Sequence, residues 1–291
     1  MASALPPWLP PLYPFQSHYR VVGSATVHYV DEGSGPPILF LHGNPTWSFL
    51  YRGIIRGLRD RFRCVAPDYP GFGFSLAPDG YGYTPAEHAA VVEGLVGALD
   101  LSGVTLMGQD WGGPIGLWVA GRHPDRFRAL LLGNTFAWPL DGDPHFERFS
   151  RLMGGPIGGL LIRRFNAFVN VLLPMGVRRR RLPRDVMRAY RWPFRERAAR
   201  RPTHVFPREL LESRAFLAEV ERGLVRLRDL PVLLLWGDRD PAFRDAERRR
   251  FEAIFRRCQT IILRGASHFI QEDAPEEIVQ AIRAWWPGSE S

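Results

Sequence analysis

The run Met107-Gly108-Gln109-Asp110-Trp111-Gly112-Gly113 places one carboxylate between glycines. A β-branched and apolar run, Val104 to Leu106, precedes it, and an apolar stretch of helical character, Pro114 to Ala120, follows it. A strand, a tight turn and a helix form the setting of a nucleophile elbow, whose central residue is usually serine. An aspartate there has a pKa of about 4, so it is ionised at neutral pH and can displace a leaving group from saturated carbon. The same pentapeptide is also compatible with Asp110 simply capping the helix.

A catalytic interpretation of Asp110 gains support only if a base, and an acid that orients this base, appear in the right chain order. Of the eight histidines, only His268 has a suitable placement, after the last predicted strand. The strand before it is followed by Asp238 and Asp240, either of which could be the acid. Nucleophile, acid and histidine is the chain order of α/β-hydrolase triads, with each member at the carboxyl end of a strand. We expect His42 to be structural and five others to be surface or packing residues: His18, His88, His123, His145 and His204.

Strand and helix patterns alternate along most of the chain. Residues Pro37 to Leu41 form a short apolar run, which predicts a strand buried on both faces. Thr46 is expected to cap a helix that ends near Arg59. Thr84-Pro85-Ala86-Glu87 has the pattern of a capping box, and the segment from Asp273 to Glu276 is expected to begin the last helix.

Between about Asn134 and Asp229 the strand patterns stop, and arginines and aromatic residues recur at helical spacing. The whole pattern predicts an α/β fold, with a doubly wound, mostly parallel sheet and an inserted helical cap. We expect residues 1–134 and 230–291 to form the core domain and residues 135–229 to form the cap.

The chain has 291 residues and a net charge of +8, and all 38 of its basic residues are arginine. Between residues 141 and 230 there are 20 arginines and 10 acidic residues, and Arg178 to Arg181 is the densest run. A nucleic-acid or membrane surface is one interpretation of such a patch. Because no nucleic-acid-binding module accompanies it, a solvated arginine-rich helical surface is favoured.

Composition also bears on location. No apolar run reaches the ~18 residues that a membrane span needs, and the first residues lack a signal-peptide pattern. The two cysteines, Cys64 and Cys258, are expected to be buried thiols rather than a disulfide. We therefore expect a cytoplasmic protein with neither a membrane nor a nucleic-acid partner.

Three segments together resemble the haloalkane dehalogenases, a family with the α/β-hydrolase fold. They are His42-Gly43-Asn44-Pro45-Thr46-Trp47-Ser48-Phe49-Leu50-Tyr51-Arg52, Gly108-Gln109-Asp110-Trp111-Gly112-Gly113 and His268-Phe269-Ile270-Gln271-Glu272-Asp273. The resemblance extends from about Tyr13 to Trp286 and is weakest in the cap.

The resemblance implies a catalytic triad. Asp110 would be the nucleophile and His268 the base. One branch of the family carries its acid just after the strand that precedes the cap, but that stretch holds no carboxylate here. Asp240 is therefore the implied acid, and Asp238 is expected to be a turn residue or a salt-bridge partner.

The resemblance also implies a halide site and an activity. Asn44 and Trp111 would bind the halide through side-chain N–H groups, as in the branch that combines an aspartate acid with an Asn–Trp halide site. The implied reaction is hydrolysis of haloalkanes to an alcohol, a halide ion and a proton through an aspartyl ester, without a metal ion or organic cofactor. The partners would be a small halogenated aliphatic substrate and the halide ion, and the family branch implies a tendency to form homo-oligomers.

Two other functions remain open at this point. An epoxide hydrolase uses the same Asp–His–Asp set but needs tyrosines from the cap to protonate the epoxide, and this cap contains only Tyr190. A non-catalytic ligand-binding or assembly protein with this fold is the second alternative. Measuring halide release separates these possibilities.

Overall fold

One eight-stranded sheet forms the centre of residues 5–286, which are the residues that this computed structural model describes. The ends of the predicted core, residues 1–4 and 287–291, lie outside them. The strands are β1 (Ser17–Val22), β2 (Ala25–Glu32), β3 (Pro37–Leu41), β4 (Arg63–Pro67), β5 (Val104–Asp110), β6 (Phe127–Thr135), β7 (Pro231–Gly237) and β8 (Arg257–Leu263). Their order in the sheet is β1-β2-β4-β3-β5-β6-β7-β8.

The pairing confirms a mostly parallel sheet of the α/β class. Strands β1 and β2 are antiparallel, as are β2 and β4, and the other pairs are parallel. Every residue of β5 is buried, and nearly all residues of β3, β6 and β7 are buried too. Helices cover both faces of a parallel sheet, which explains why these strands are continuous apolar runs rather than alternating ones.

Helices connect the strands and fill the long interval between β6 and β7. They are α1 (Arg52–Leu58), α2 (Pro85–Ala98), α3 (Gly112–Arg122), α4 (Pro144–Gly154), α5 (Pro156–Phe165), α6 (Leu173–Met175), α7 (Arg184–Arg191), α8 (Arg201–Glu212), α9 (Arg214–Leu227), α10 (Asp245–Ile254), α11 (Ile270–Asp273) and α12 (Pro275–Trp285). A π-helical turn, Phe168–Leu172, leads directly into α6. Residues 136–230, which we call the insertion, contain α4 to α9 and no strand.

Several local predictions are confirmed. The strand Pro37–Leu41 has the expected ends. Thr84 caps α2, since its hydroxyl accepts a hydrogen bond from Glu87 N while the Glu87 side chain accepts one from Thr84 N. Cys64 and Cys258 are both free thiols, although only Cys64 is buried as expected and Cys258 is half-buried.

The prediction that Thr46 caps a helix is wrong. Thr46 Oγ1 donates to the carbonyl oxygen of Gly43 at 2.9 Å, so its hydroxyl closes the preceding turn. The helical path begins later, with a 3-10 turn at Ser48–Tyr51 that continues into α1.

The expected helical surface at Arg178 to Arg181 is also wrong, because this run lies in the loop between α6 and α7. Asp273 accepts the backbone N–H groups of Arg178 and Arg179 at 3.0 and 2.8 Å, so those groups cannot form helix hydrogen bonds. The last helix, α12, begins at Pro275 within the predicted segment, but the Asp273 carboxylate serves this loop rather than the helix.

The insertion packs on a helix of the core and on itself. Helix α9 lies against α3, and the backbones approach so closely that a Cβ atom on Gly121 would lie 3.1 Å from Gly223 Cα. Within the insertion, α4 packs on α8. Among residues 5–286, no single helix is long and apolar enough to cross a membrane.

Candidate active site

Asp110 lies in a strained turn at the carboxyl end of β5. Its φ angle is +52°, a left-handed conformation that non-glycine residues rarely adopt. Glycines surround the turn because there is no space for a side chain. A Cβ atom on Gly112 would lie 2.0 Å from the carbonyl oxygen of Leu41, and one on Gly113 would lie 1.9 Å from Thr135 Oγ1. The turn therefore presents the Asp110 side chain above the sheet edge.

The two oxygens of the Asp110 carboxylate have different surroundings. Oδ1 accepts a hydrogen bond from Asn44 N at 2.8 Å, and the carboxylate also accepts one from the backbone N–H of Trp111. Oδ2 lies 3.6 Å from His268 Nε2. Burial raises the pKa of the Asp110 carboxyl, an effect that the nearby His268 and the two backbone N–H groups partly offset. One oxygen is thus held by a backbone donor while the other faces the histidine.

His268 connects Asp110 with Asp240. Its Nδ1 atom lies 3.0 Å from Asp240 Oδ2. Burial lowers the pKa of His268, but the charge of Asp240 and its hydrogen bond, together with Asp110, raise this pKa above its usual value overall. Asp238 lies elsewhere, since its Oδ1 accepts from Gly265 N at 2.7 Å. The structure therefore brings Asp110, His268 and Asp240 together and leaves Asp238 in the turn.

Asn134 and Gln109 complete this arrangement, although their roles were not predicted from the sequence. Asn134 Nδ2 donates to Asp240 Oδ2 at 2.9 Å, while its Oδ1 accepts from Gly237 N at 2.8 Å. Gln109 Nε2 lies 3.1 Å from His268 Nε2. A donor at that distance matches the tautomer in which Nε2 is free of a proton and Nδ1–H points to Asp240. The sequence offered one indication for Asn134, because this residue lies near the end of a predicted parallel strand.

A cavity of about 500 Å³ opens beside these groups. Its polar end is formed by Asp110, His268, Asn44 and Trp111. Most of the remaining wall is apolar and comes from the insertion: Phe146, Phe149, Phe168, Leu172, Met175, Val177, Pro207 and Leu210. His145, expected on the surface or in a packing position, lines this cavity as well. The aspartate thus faces a largely apolar chamber.

Asn44 and Trp111 place two side-chain N–H groups at this chamber. One hydrogen of Asn44 Nδ2 is directed to the carbonyl oxygen of Thr203 at 3.2 Å, which leaves the second hydrogen free among the described residues. The indole of Trp111 stacks on Phe206 with ring centroids 5.4 Å apart. Within residues 5–286, no acceptor pairs with its N–H group. Both residues therefore have an unused donor next to Asp110.

Comparisons with known proteins place this chain in a family. Residues 36–275 match the family model of the alpha/beta hydrolase fold. Haloalkane dehalogenase 2 of Mycobacterium tuberculosis is 48% identical over 276 residues, which cover 94% of this chain and 96% of the relative. This chain belongs to the haloalkane dehalogenase family. The predicted family and fold are thereby confirmed, and this dehalogenase is a hydrolase.

Two further comparisons show the breadth of the similarity. The crystal structure of the haloalkane dehalogenase DbeA from Bradyrhizobium elkani superposes on this dehalogenase with a TM-score of 0.85 and 31% identity, covering 93% of this chain and 97% of that one. A relative with another activity, the cis-3-alkyl-4-alkyloxetan-2-one decarboxylase of Shewanella oneidensis, is 31% identical over 96% of this chain and 91% of the relative.

The single tyrosine of the insertion in this dehalogenase is not part of the cavity wall. Tyr190 OH donates to Glu272 Oε1 at 2.5 Å in a buried site, and Glu272 also pairs with Arg52. The phenol group is therefore committed to a link between the insertion and the core.

Proposed function

We propose that this enzyme hydrolyses the carbon–halogen bonds of small haloalkanes in two steps. Asp110 Oδ2 attacks the carbon that bears the halogen, and the halide leaves with the bonding electron pair as the ester bond forms. His268 Nε2 then takes a proton from water, whose oxygen attacks the ester carbonyl carbon. The products are an alcohol, a halide ion and a proton.

The unequal surroundings of the two Asp110 oxygens support this proposal most directly. Oδ1 accepts from Asn44 N, and Trp111 N donates to the same carboxylate. Negative charge would collect on the held oxygen in the tetrahedral intermediate, so the same donors would serve as an oxyanion hole. Oδ2 is left free to react, 3.6 Å from the proposed base. Asp240 would stabilise the imidazolium ion that forms on His268.

Departure of the halide ion needs hydrogen-bond donors in a site that excludes bulk water, because negative charge develops on the halogen as the carbon–halogen bond breaks. We assign this role to the Trp111 indole N–H and the free amide hydrogen of Asn44. Fixed donors in a chamber that excludes water stabilise such charge strongly, and removing one typically costs about 3 kcal/mol. The apolar wall from the insertion supports the assignment of residues 135–229 as a cap that keeps water away from Asp110.

The position of Tyr190 argues against epoxide hydrolysis. Ring opening of an epoxide needs an acid at the leaving oxygen, and the only tyrosine of the insertion is buried against Glu272. The decarboxylase relatives favour a second activity that should be measured, namely decarboxylation of a cis-3-alkyl-4-alkyloxetan-2-one.

The test uses the wild-type protein, His268→Phe and Asp110→Asn, with a panel of bromo- and iodoalkanes. We expect the wild type to release halide through many turnovers, and to do so equally in the presence of a chelator. His268→Phe should release one halide per active site and then stop, because ester formation needs no base while ester hydrolysis does. Mass spectrometry should find the alkyl group on the peptide that contains Asp110, and no adduct in Asp110→Asn.

Other results would contradict the proposal. An adduct on another residue would remove Asp110 as the nucleophile. A folded His268→Phe protein that binds substrate without releasing halide would make the base necessary for the first step. A wild type that releases no halide but releases carbon dioxide from the oxetanone would be a decarboxylase. A wild type that is inactive in both assays would be a non-catalytic protein.

A further inference from the structure

The insertion exposes an unusual number of large apolar side chains. Six of them have exposed fractions between 40% and 66%: Ile157, Leu160, Leu161, Phe165, Val171 and Met175. Residues 5–286 contain only ten exposed large apolar side chains, so more than half are gathered in this short segment. We call these six side chains the apolar face. A concentration of this kind indicates contact with another apolar phase or molecule.

Spacing along the helices directs these side chains outward. The four exposed apolar residues of α5 are spaced so that they lie on one side of the helix, while Ile162 is buried on the other side. Val171 and Met175, four residues apart, belong to the next helical segment. Pro156–Phe165 and Phe168–Met175 are bent by 80° relative to each other, and together they have the length and composition of a membrane span.

Arginines flank the apolar face along the chain, and most of them lack a carboxylate partner. Residues 148–184 contain nine arginines and no aspartate or glutamate. Among the described residues, only Arg151 and Arg179 of these nine have a carboxylate within 4.0 Å. By contrast, Arg248 outside this segment pairs with two carboxylates. The guanidinium groups that lack a carboxylate favour an anionic partner from outside the chain.

An arginine-lined groove adjoins the same face. It has a volume of about 540 Å³, and Arg181, Arg184 and Arg191 line it without any acidic residue. Asn170 and Pro174, each next in the chain to a member of the apolar face, also line it. The groove thus places cationic donors beside exposed aliphatic side chains.

We propose that the apolar face docks on the surface of an anionic lipid bilayer. Apolar side chains enter the boundary between head groups and acyl chains, while the flanking arginines bind lipid phosphates, as in interfacial amphipathic helices. Arginine suits this position because its aliphatic stem lies along apolar surface and its planar head group binds phosphate. Surface docking needs no spanning segment, so it revises the expectation of no membrane partner, which rested on the lack of such a segment.

A second copy of this chain fits the apolar face less well than an anionic bilayer does. Pairing two apolar faces would bring two sets of arginines together, and like charges at close range oppose association. An anionic bilayer supplies both the apolar phase and the opposite charge.

Docking also orients the active-site cavity. Met175 belongs to both the apolar face and the cavity wall, and Phe168 and Leu172 of the same helical segment line that wall. Docking therefore places this part of the cavity wall at the lipid boundary. This part rests on the proposed function, and it implies substrates that partition into the bilayer, such as long-chain haloalkanes.

The experiment is flotation of the full-length protein with phosphatidylcholine vesicles, either pure or containing about 30 mol% phosphatidylglycerol. We expect binding only to the anionic vesicles, and weaker binding as salt rises. Leu160→Asp/Phe165→Asp should lower the affinity at least about tenfold, because charged side chains cannot enter the acyl boundary. Arg163→Gln/Arg164→Gln should lower it by about fivefold per charge removed, or about 25-fold for the pair.

Matched controls keep the outcome decisive. Val21→Asp places one aspartate at an exposed apolar site on β1, and Arg222→Gln/Arg257→Gln removes two exposed charges outside the face. Both should bind like the wild type. Thermal unfolding and halide release from a water-soluble bromoalkane check that each variant is folded, and vesicle binding itself needs no activity.

Lack of binding to anionic vesicles by a folded wild type would overturn the proposal. So would binding that the arginine pair abolishes but Leu160→Asp/Phe165→Asp leaves unchanged, since apolar insertion would then have no part. A wild-type dimer that Leu160→Asp/Phe165→Asp dissociates, without vesicle binding, would identify the face as a contact between copies and also refute docking on lipid.

Discussion

The two carboxylates after β7 show how contacts separate residues of the same type. Asp240 lies two residues beyond Asp238, yet its carboxylate meets His268 Nδ1 and Asn134 Nδ2 in a buried site. Asp238 instead accepts a hydrogen bond from Gly265 N, which links the loops after β7 and β8 nearer the surface. Only Asp240 of the two is placed to hold an imidazolium ion.

Asp240→Asn should therefore keep the fold and lower the steady-state rate of halide release by on the order of 10⁴-fold, because the imidazolium loses its charged partner. Asp238→Asn is the matched control and should stay close to the wild-type rate. Steady-state kinetics with a bromoalkane measures both. If Asp238→Asn is the crippling change and Asp240→Asn is mild, the acid is assigned to the wrong carboxylate.

The protonation of His268 gives a second prediction at this scale. Burial lowers its pKa, but Asp240 and Asp110 raise it overall, above the usual value of about 6.5. The neutral base is lost as pH falls through this raised pKa, so turnover should decline on the acid side. Imidazole NMR titration of the free enzyme should give a midpoint above about 6.5, and a lower midpoint in Asp240→Asn. A wild-type midpoint below the usual value would show that burial dominates.

At the scale of elements, one carboxylate joins the His268 loop to the insertion. Asp273, at the end of α11, accepts the backbone N–H of Ser267 at 2.7 Å, directly before the proposed base. The same carboxylate accepts the N–H groups of Arg178 and Arg179, which lie where the cavity wall ends. A shift of this carboxylate therefore moves the base and the cavity wall together.

Asp273→Asn would place an amide N–H₂ group opposite backbone N–H donors. The contact of residue 273 with either the His268 loop or the insertion should therefore be lost. Hydrogen bonds to charged groups contribute about 1.5–3 kcal/mol, so we expect the free energy of unfolding to fall by about 2 kcal/mol. Misplacing His268 should slow ester hydrolysis by about 10- to 100-fold. The initial burst of one halide per site should remain, because Asp110 needs no base.

Rapid-quench measurement of the halide burst and of the later steady state separates these steps. Glu276→Gln, at an exposed position in the first turn of α12, is the control and should change neither. A purely structural role for Asp273 would lower stability and leave the ratio of burst to steady-state rate unchanged, contrary to our expectation.

At the scale of the molecule, the insertion and the sheet share one continuous apolar core. Phe206 of α8 stacks on Trp111 beside the elbow and contacts Phe72 of the core. Tyr190 and Leu217, also from the insertion, belong to the same buried cluster as the central strands. The two parts should therefore unfold together rather than one before the other.

Phe206→Ala tests this cooperativity, since it removes a fully buried ring at the junction. We expect a loss of about 3–5 kcal/mol in the free energy of unfolding, typical of phenylalanine deletion in a core. Urea unfolding followed by far-ultraviolet circular dichroism and by tryptophan fluorescence should shift equally in both signals. Phe165→Ala, an exposed ring, should change little. Separate transitions for the two signals would mean that the insertion unfolds independently.

The sequence alone was sufficient for the fold class and for the expectation that Asp110, His268 and one of the two aspartates after β7 lie together. Parallel strands end at one edge of a sheet, so residues that follow successive buried runs can be predicted to meet before any contact is known. The glycines around Asp110 indicated the tight turn directly, because few other residues adopt the backbone conformations that such a turn requires. These features depend on neighbours in the chain or on a rule of sheet topology.

Tertiary structure alone decided what depends on distant partners. The hydrogen-bond partners of Asn134, Gln109 and Asp273 come from distant parts of the chain, and the local sequence around these residues does not identify those partners. The arginine run at residues 178–181 is a loop because Asp273 takes two of its N–H groups. Helix α5 exposes four apolar side chains because its other side, with Ile162, already packs within the insertion. Burial and hydrogen bonding between segments far apart in the chain set these outcomes, and a single segment does not encode them.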